Sequence, residues 1–333
     1  MQTHPAFLIY TPPVILMNFK NTLLLLCLLL GMQSFAQTHR NEFGFQSDND
    51  SFLAQGSDRY YTNGLFVFFR RGLNVDDTVR FKNKVLGIEL GQKIFNPASG
   101  QMPDRNMVDR PFAGYLYAGA NLNLLYSNES NLKLGAQVGM VGPAALGRQA
   151  QEVIHNTFGF YELQGWEYQI RNNFQFNLAG EYNRLLARAG KDVDVALNTY
   201  ANLGTGFTGA GAGFLVRLGN FNQLFNSVST QSTAIKQRGF EPLNKHEFFF
   251  YLRPTLRYVA YDATIEGSLF NNSADGVEVR LTRKPVVFSQ QFGITYGGER
   301  WIFDLSAIFQ TKDTKEMLKA HQWGSATILY RFN

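Results

Sequence analysis

Apolar and polar residues alternate one by one along most of this chain. Ala118, Ala120, Leu122 and Leu124 interleave with Gly119, Asn121 and Asn123, and Leu132, Leu134, Ala136 and Val138 with Lys133, Gly135 and Gln137. Trp301, Phe303, Leu305, Ala307 and Phe309 do the same against Asp304 and Ser306, and Ala326, Ile328, Tyr330 and Phe332 close the chain in that pattern. A period of two places one set on each face of a β-strand. Past the first forty residues no apolar run reaches 18, so no helix is expected to cross a membrane. Two architectures produce this pattern: a secreted β-sandwich and an outer-membrane β-barrel. Gly, Asn, Gln, Arg and Asp on the polar faces suit a wet lumen, and the mean hydropathy of −0.18 suits strands with one face of each kind. Aromatics near strand ends (Tyr115, Tyr117, Tyr258, Tyr261, Tyr330, Phe332) are expected in interfacial girdles.

The first residues set the compartment. Lys20 precedes Leu23–Leu30 with Cys27 inside the run, and Ser34-Phe35-Ala36 follows, the layout of a secretory signal peptide. Met17 is the expected initiator, with residues 1–16 an over-long start. Cleavage after Ala36 leaves residues 37–333 as one barrel domain without cysteine, since Cys27 is the one cysteine. That removes a disulfide framework and a cysteine-based metal site. Leucines precede Cys27, so a lipoprotein anchor is not expected.

An all-β fold follows: a transmembrane, antiparallel, up-and-down barrel of about 12 strands. The strands are expected near 43–50, 62–71, 83–94, 113–125, 131–142, 165–188, 193–204, 208–218, 246–261, 285–298, 301–312 and 322–332. Residues 143–160 lack the two-residue period. Pro143 suits a first helical turn and Gly159 a C-cap, so a short α-helix is expected in an extracellular loop. Residues 219–245 would form a periplasmic turn far longer than the usual short ones.

Counting strand directions from a periplasmic N-terminus brings four segments to the extracellular rim: Asp48-Asn49-Asp50, Tyr61-Thr62-Asn63-Gly64, Asp109–Gly114, and the helix with Gln151 and His155. Gln151 and His155 are four apart and share a helix face. A histidine there could serve as a general base, or be a solvated loop residue. Asp48 and Asp50 are expected on one side of the first strand, with Asn49 facing outward beside Phe43 and Phe45. Such clusters offer hard oxygen ligands for Ca2+, although a plain polar turn has the same composition. Arg59, Arg110, Arg148 and Arg171 could meet lipid phosphates or be ordinary surface charge.

Other patterns carry less. Gly204-Thr-Gly206-Phe-Thr-Gly209 spells a dinucleotide fingerprint, yet a strand follows it, so a tight turn is expected. There is no Gly-x-Ser-x-Gly and no HExxH, and the five histidines form no close pair. Basic residues are scattered, which gives no support to nucleic acid binding.

Taken in order, Asp48-Asn-Asp-Ser-Phe52, Asp58-Arg-Tyr-Tyr-Thr-Asn-Gly64, Arg110-Pro-Phe-Ala-Gly114 and Val141-Gly-Pro-Ala-Ala-Leu-Gly147 with Gln151, His155 and Gly165-Trp166 resemble the outer-membrane lipid A 3′-O-deacylases. Weaker similarity continues through Leu215–Gly219 and Ile265–Gly267. Family members usually carry Glu at the position of Asp48 and Tyr at that of Phe112. The resemblance implies a twelve-stranded barrel with a Ca2+-dependent esterase site between the wall and a loop helix. It implies lipid A, or lipopolysaccharide, of the outer leaflet as substrate. It implies that His155 activates water, that Asn49 and Asp50 help to hold Ca2+, and that Thr62 and Gln151 are polar groups of the site. A monomer is expected. Further Ca2+ ligands would come from backbone carbonyls, waters, Glu152 or Glu162.

Two alternatives stay open at this stage. One is a phospholipase-type esterase with a covalent nucleophile, Thr157 or Thr62. The other is a barrel without catalysis, such as a pore or an adhesin.

Overall fold

The structure is a computed structural model that describes residues 38–53, 58–237, 239–271 and 277–333; the expected leader, 1–36, lies outside the described residues. Twelve antiparallel strands close into a barrel, each hydrogen-bonded to its chain neighbours, with β1 (Asn41–Asn49) pairing both β2 (Tyr61–Gly72) and β12 (His321–Phe332). Closure satisfies every strand edge, the condition for backbone to stand in lipid. Between them run β3 (Phe81–Phe95), β4 (Ala113–Tyr126), β5 (Ser130–Val141), β6 (Asn173–Ala189), β7 (Val193–Gly204), β8 (Phe207–Asn220), β9 (Glu247–Asp262), β10 (Val286–Gly297) and β11 (Trp301–Gln310).

The alternation sorts faces as expected. Phe43, Phe45, Ile88, Leu90, Phe250, Leu256 and Leu305 are exposed on the outer wall, while Glu42, Asn123, Asp194 and Arg217 are buried inside. The interior is filled by polar side chains. Asp194 takes Arg217 through both carboxylate oxygens (2.9 and 2.7 Å) and also Arg188 (3.0 Å). Lys133 pairs with Glu181 at 2.8 Å. Such a filled lumen opposes the pore reading.

Two expectations are corrected. Tyr115, Tyr117 and Tyr261 do not join a girdle; they line a luminal cavity, with Tyr117 donating to Glu89. Tyr115 and Tyr117 share the parity of Asn121 and Asn123, which are luminal. Outward aromatics do gather at the other end, where Trp301 packs on Tyr330 (ring centroids 4.8 Å) and Tyr330 on Phe332. The sixth strand starts at Asn173, not 165, because Gly165 holds a left-handed conformation (φ +101°) and a 3₁₀ turn, Trp166–Tyr168, follows.

The long segment after β8 is the extended connection expected at the end bearing the termini. It folds back across the lumen there. Phe221, Leu224, Phe225, Ala234 and Ile235 are buried there. Inward-facing strand residues satisfy its backbone. Asn83 donates to the carbonyls of Ser232 (2.7 Å) and Ala234 (3.1 Å), Asn123 donates to that of Thr230 (2.9 Å), and Glu247 accepts from the amides of Asn222 (2.8 Å) and Val228 (2.9 Å). A buried irregular segment needs such partners for its peptide groups. The Gly204–Phe207 connection is the tight turn expected, with Thr205-Gly206 joining β7 to β8.

Candidate active site

At the rim opposite the termini, β1 ends at Asn49 and a 3₁₀ turn, Asp50–Leu53, diverts the chain. Asn49 points outward with Phe43 and Phe45, as expected. Asp48 points into the lumen and accepts from the Tyr61 hydroxyl (2.7 Å) and Gln46 (2.9 Å). Asp50 does not share its side: the turn carries it away, to a buried position where the Arg59 amide donates to it (2.9 Å).

Strand β2 adds a bulge. Tyr61 pairs with Phe95 but Asn63 with Ile94, which leaves Thr62 as the extra residue and re-aims its side chain. Thr62 Oγ1 lies 3.1 Å from Asp58 Oδ1 and 3.4 Å from Asp50 Oδ1. Asn63 accepts from Asn49 Nδ2 at 2.6 Å. Asn49, Asn63, Thr62, Asp50 and Asp58 therefore form one hydrogen-bonded group.

The expected loop helix is α1 (Gly147–Phe158), preceded by a 3₁₀ turn at Pro143–Ala145 and ended by Gly159 in the left-handed region (φ +71°). It lies on the outside of the wall. Gln92 of β3, on the face of Ile88 and Leu90, donates to the Ala145 carbonyl (2.7 Å), and Ile94, Phe112 and Trp166 pack in one buried cluster beneath the helix. Gly114 permits this approach, since a Cβ there would stand 3.0 Å from the Gly147 nitrogen and 3.1 Å from the Ala145 Cβ. The Arg110–Gly114 segment thus has a local physical reason. Arg110 itself is buried over the Phe95 ring and bound to Asp313 (3.5 Å), so it is unavailable to a lipid phosphate.

His155 and Gln151 sit on the buried face of α1. His155 Nδ1 is 2.7 Å from the Tyr161 carbonyl oxygen. A carbonyl only accepts, which assigns the proton to Nδ1 and leaves Nε2 as the basic nitrogen. Nε2 stands 2.8 Å from Asp58 Oδ2, close in distance but poorly aligned for a hydrogen bond. The Tyr161 hydroxyl donates to the same oxygen at 2.5 Å. Trp166 Nε1 donates to Gln151 Oε1 (3.1 Å), while Gln151 Nε2 is buried with no partner among the described residues. An unmet buried donor is costly unless something else binds it.

Burial, with Asp58 nearby, pushes the Asp50 carboxyl up to about 7 despite the Arg59 amide and the Thr62 hydroxyl. An ionised Asp50 lacks compensation there, a deficit that a hard cation would relieve. Among the described residues no group of three or more His, Cys, Asp or Glu stands ready for a metal. Donors beyond the two carboxylates would therefore be amide, hydroxyl or backbone oxygens, a set that suits Ca2+. Glu152 is engaged by Arg148 (2.7 Å) on the exposed side of the helix.

The structure thus brings all five expected site residues, Asn49, Asp50, Thr62, Gln151 and His155, to the outer side of one rim sector. A cavity of about 550 Å³ is luminal and is lined by none of the five. Two participants carry no assignment from the sequence, Asp58 and Tyr161. Asp58 heads the 58–64 segment, but it and Tyr161 are 103 positions apart, and separation in sequence holds no distance. The glycine at 159 was the available signal for Tyr161, because a left-handed cap reverses the chain over the helix end.

A family model described as outer membrane protein LpxR matches residues 23–332. Among solved structures, LpxR from Salmonella typhimurium aligns at 21% identity with a TM-score of 0.71, covering 87% of this chain and 100% of that one. The β-domain of the Bordetella autotransporter BrkA aligns at 10% identity and TM-score 0.44 (89% and 100% covered), and a KdgM porin in complex with oligogalacturonate at 6% and 0.37 (88% and 99%). No curated protein is similar enough to match.

Proposed function

Because this chain belongs to the LpxR family and is on that ground an outer-membrane lipid A deacylase, we propose that it hydrolyses the 3′-linked acyl esters of lipid A with water activated by His155. The observation that carries this reading is the placement of the His155 group. It lies outside the barrel wall, buried under a helix on the side that faces the outer leaflet and not the lumen. A luminal site would serve a soluble ligand instead.

The chain's own residues supply most of the chemistry. The Tyr161 carbonyl fixes the His155 ring and its tautomer. Nε2 takes a proton from water as the water oxygen attacks the ester carbonyl carbon. The bond from that carbon to the sugar oxygen then breaks, and the proton passes from Nε2 to the departing sugar oxygen. The products are a fatty acid and a free 3′-hydroxyl. Gln151 Nε2, a buried donor without a partner among the described residues, would donate to an oxygen of the bound substrate or of water. Asn49 and Asp50 would hold Ca2+ with help from neighbouring oxygens. When bound, Ca2+ supplies a Lewis acid for the charge developing on the carbonyl oxygen. The Thr62 and Thr157 hydroxyls do not favour a covalent route, since Thr62 donates toward Asp58 and Thr157 donates to the Val153 carbonyl on the exposed side (2.7 Å).

Mass spectrometry of lipid A incubated with the purified protein and Ca2+ tests the reading. Loss of the 3′ acyl unit is expected, and an unchanged lipid A from folded, heat-modifiable protein would end it. Gly114→Val probes the helix seat. The valine side chain meets Gly147 and Ala145, so α1 must lift. A loss of activity of roughly 100-fold is expected without loss of heat-modifiable migration, because small misplacements of catalytic groups are expensive. Full activity in that variant would show that the helix seat is immaterial.

A further inference from the structure

At the end bearing the termini, the outer wall over β2–β6 gathers cations without carboxylate partners. Arg71, Lys84 and Arg184 share the outward parity of Val67, Leu86 and Leu178, and Arg80 is exposed in the turn before β3. Among the described residues none of these four side chains pairs with a carboxylate. The acids of the same strands are spent on other cations: Glu42 on Arg70, Glu181 on Lys133 and Glu129 on Arg188. Asp76 and Asp77 lie in the β2–β3 turn, and Asp77 accepts the Arg80 backbone amide (3.0 Å). Two of the cations rest on one aromatic shelf. The Phe81 and Tyr126 rings are 4.9 Å apart, with Arg80 Cζ 5.2 and 5.8 Å from their centroids and Lys84 Nζ 4.8 Å from that of Phe81. Ring faces hold a cation without cancelling its charge. Beside the shelf opens a cavity of about 400 Å³, whose lining includes Arg80, Tyr126, Asn128, Ser130, Leu132 and Tyr182. Its walls are graded with depth. Arg80 and Asn128 stand at the turns, Ser130 pairs with Arg184, Leu132 pairs with Tyr182, and the exposed Leu134 follows. A cationic edge, then aromatic rings, then an apolar wall follows a bilayer from headgroup to acyl chain.

We propose that this pocket binds an anionic glycerophospholipid of the inner leaflet, the leaflet that the terminus-bearing rim meets. The phosphate lies on Arg80 and Lys84, Arg184 adds a third cation at the same edge, and an acyl chain runs along Leu132 and Leu134. Charge selects the lipid. Four cations against Asp76 and Asp77 leave the patch positive, and an anionic head meets it unopposed. A choline head brings its own positive charge to the same place and loses most of that attraction. The pocket shares no residue with the His155 group, so it stands independently of the deacylase reading.

Native mass spectrometry of the mature protein, released from detergent with dioleoylphosphatidylglycerol or dioleoylphosphatidylcholine, tests this. The wild type is expected to retain the glycerol lipid about tenfold better than the choline lipid. Arg80→Gln with Lys84→Gln is expected to abolish the preference, and Arg184→Gln alone to cut it about threefold. Lys312→Gln with Lys315→Gln removes the same charge at the opposite rim and should leave the preference intact. Heat-modifiable migration shows which variants fold, and if the Arg80, Lys84 pair does not, the single Arg80→Gln and Arg184→Gln variants decide. Equal retention of the two lipids by the wild type overturns the proposal. So does a preference that survives in the Arg80, Lys84 variant, or one that falls equally in the Lys312, Lys315 variant. Displacement of the lipid by inorganic phosphate at millimolar concentration would mark a site for free anions and overturn the lipid assignment.

Discussion

Alanine at His155 is expected to lower kcat for lipid A deacylation by about a thousandfold, within the range a general base contributes. His155 is the basic residue of the outward-facing group, and among the described residues no second histidine stands beside it. The side chain is buried against Phe160 and Tyr161, with ring centroids 5.5 and 4.7 Å away, so its loss also leaves a small gap under the loop. That gap lies outside the strands and does not touch barrel closure, so heat-modifiable migration should persist. Single-turnover release of fatty acid, followed by mass spectrometry, separates the outcomes. Wild-type rates in His155→Ala would remove the base from the mechanism. A normal kcat with a raised KM would reassign His155 to substrate binding.

Chelation is the second large effect. With EGTA the hydrolysis should fall to background and return on adding Ca2+. The pH dependence follows from Asp50. Burial raises its carboxyl to about 7 in the cation-free protein, so protons compete with the cation below that pH. Ca2+ affinity should drop by about tenfold per pH unit below 7, a slope that calorimetry measures directly. The stability effect has the opposite sense. The folded cation-free state binds this proton more tightly than the unfolded chain does. The resulting stabilisation is present below the ordinary carboxyl value and is lost as pH rises through about 7. It amounts to on the order of 4 kcal/mol at most. Cation-free protein should therefore unfold more readily at pH 8 than at pH 5, and added Ca2+ should narrow that difference. A flat affinity between pH 5 and 8 would remove Asp50 from the cation site.

Much of the architecture was legible beforehand, for a local reason. Leu122 and Asn123 are neighbours in a strand, so they must face opposite ways, and composition alone tells which face is wet. The same rule placed Asn49 outward beside Phe43 and Phe45. Where a reading ignored the parity, it failed: Tyr115 and Tyr117 were expected in a girdle although they share the phase of Asn121. Asp48 and Asp50 were expected on one side because the strand was drawn one residue too far. The 3₁₀ turn at Asp50 breaks the period, and no composition signal marks that break. The segment after β8 was likewise opaque. Its polar, turn-rich composition suits a solvated loop, and only the closed barrel supplies the inward amides and carboxylates that hold it.

Strand faces, the compartment signals, the loop helix and the convergence of four rim segments could all be read from residue order, because each depends on near neighbours and on counting strands. Which side of the wall the five candidate residues face, and which carboxylate meets His155, could not. Those follow from the bulge at Thr62, the close seat of α1 on Gly114 and the reversal at Gly159, which together bring Asp58 and His155 to 2.8 Å. Contacts across loops depend on strand register and on barrel closure, and both are properties of the whole chain.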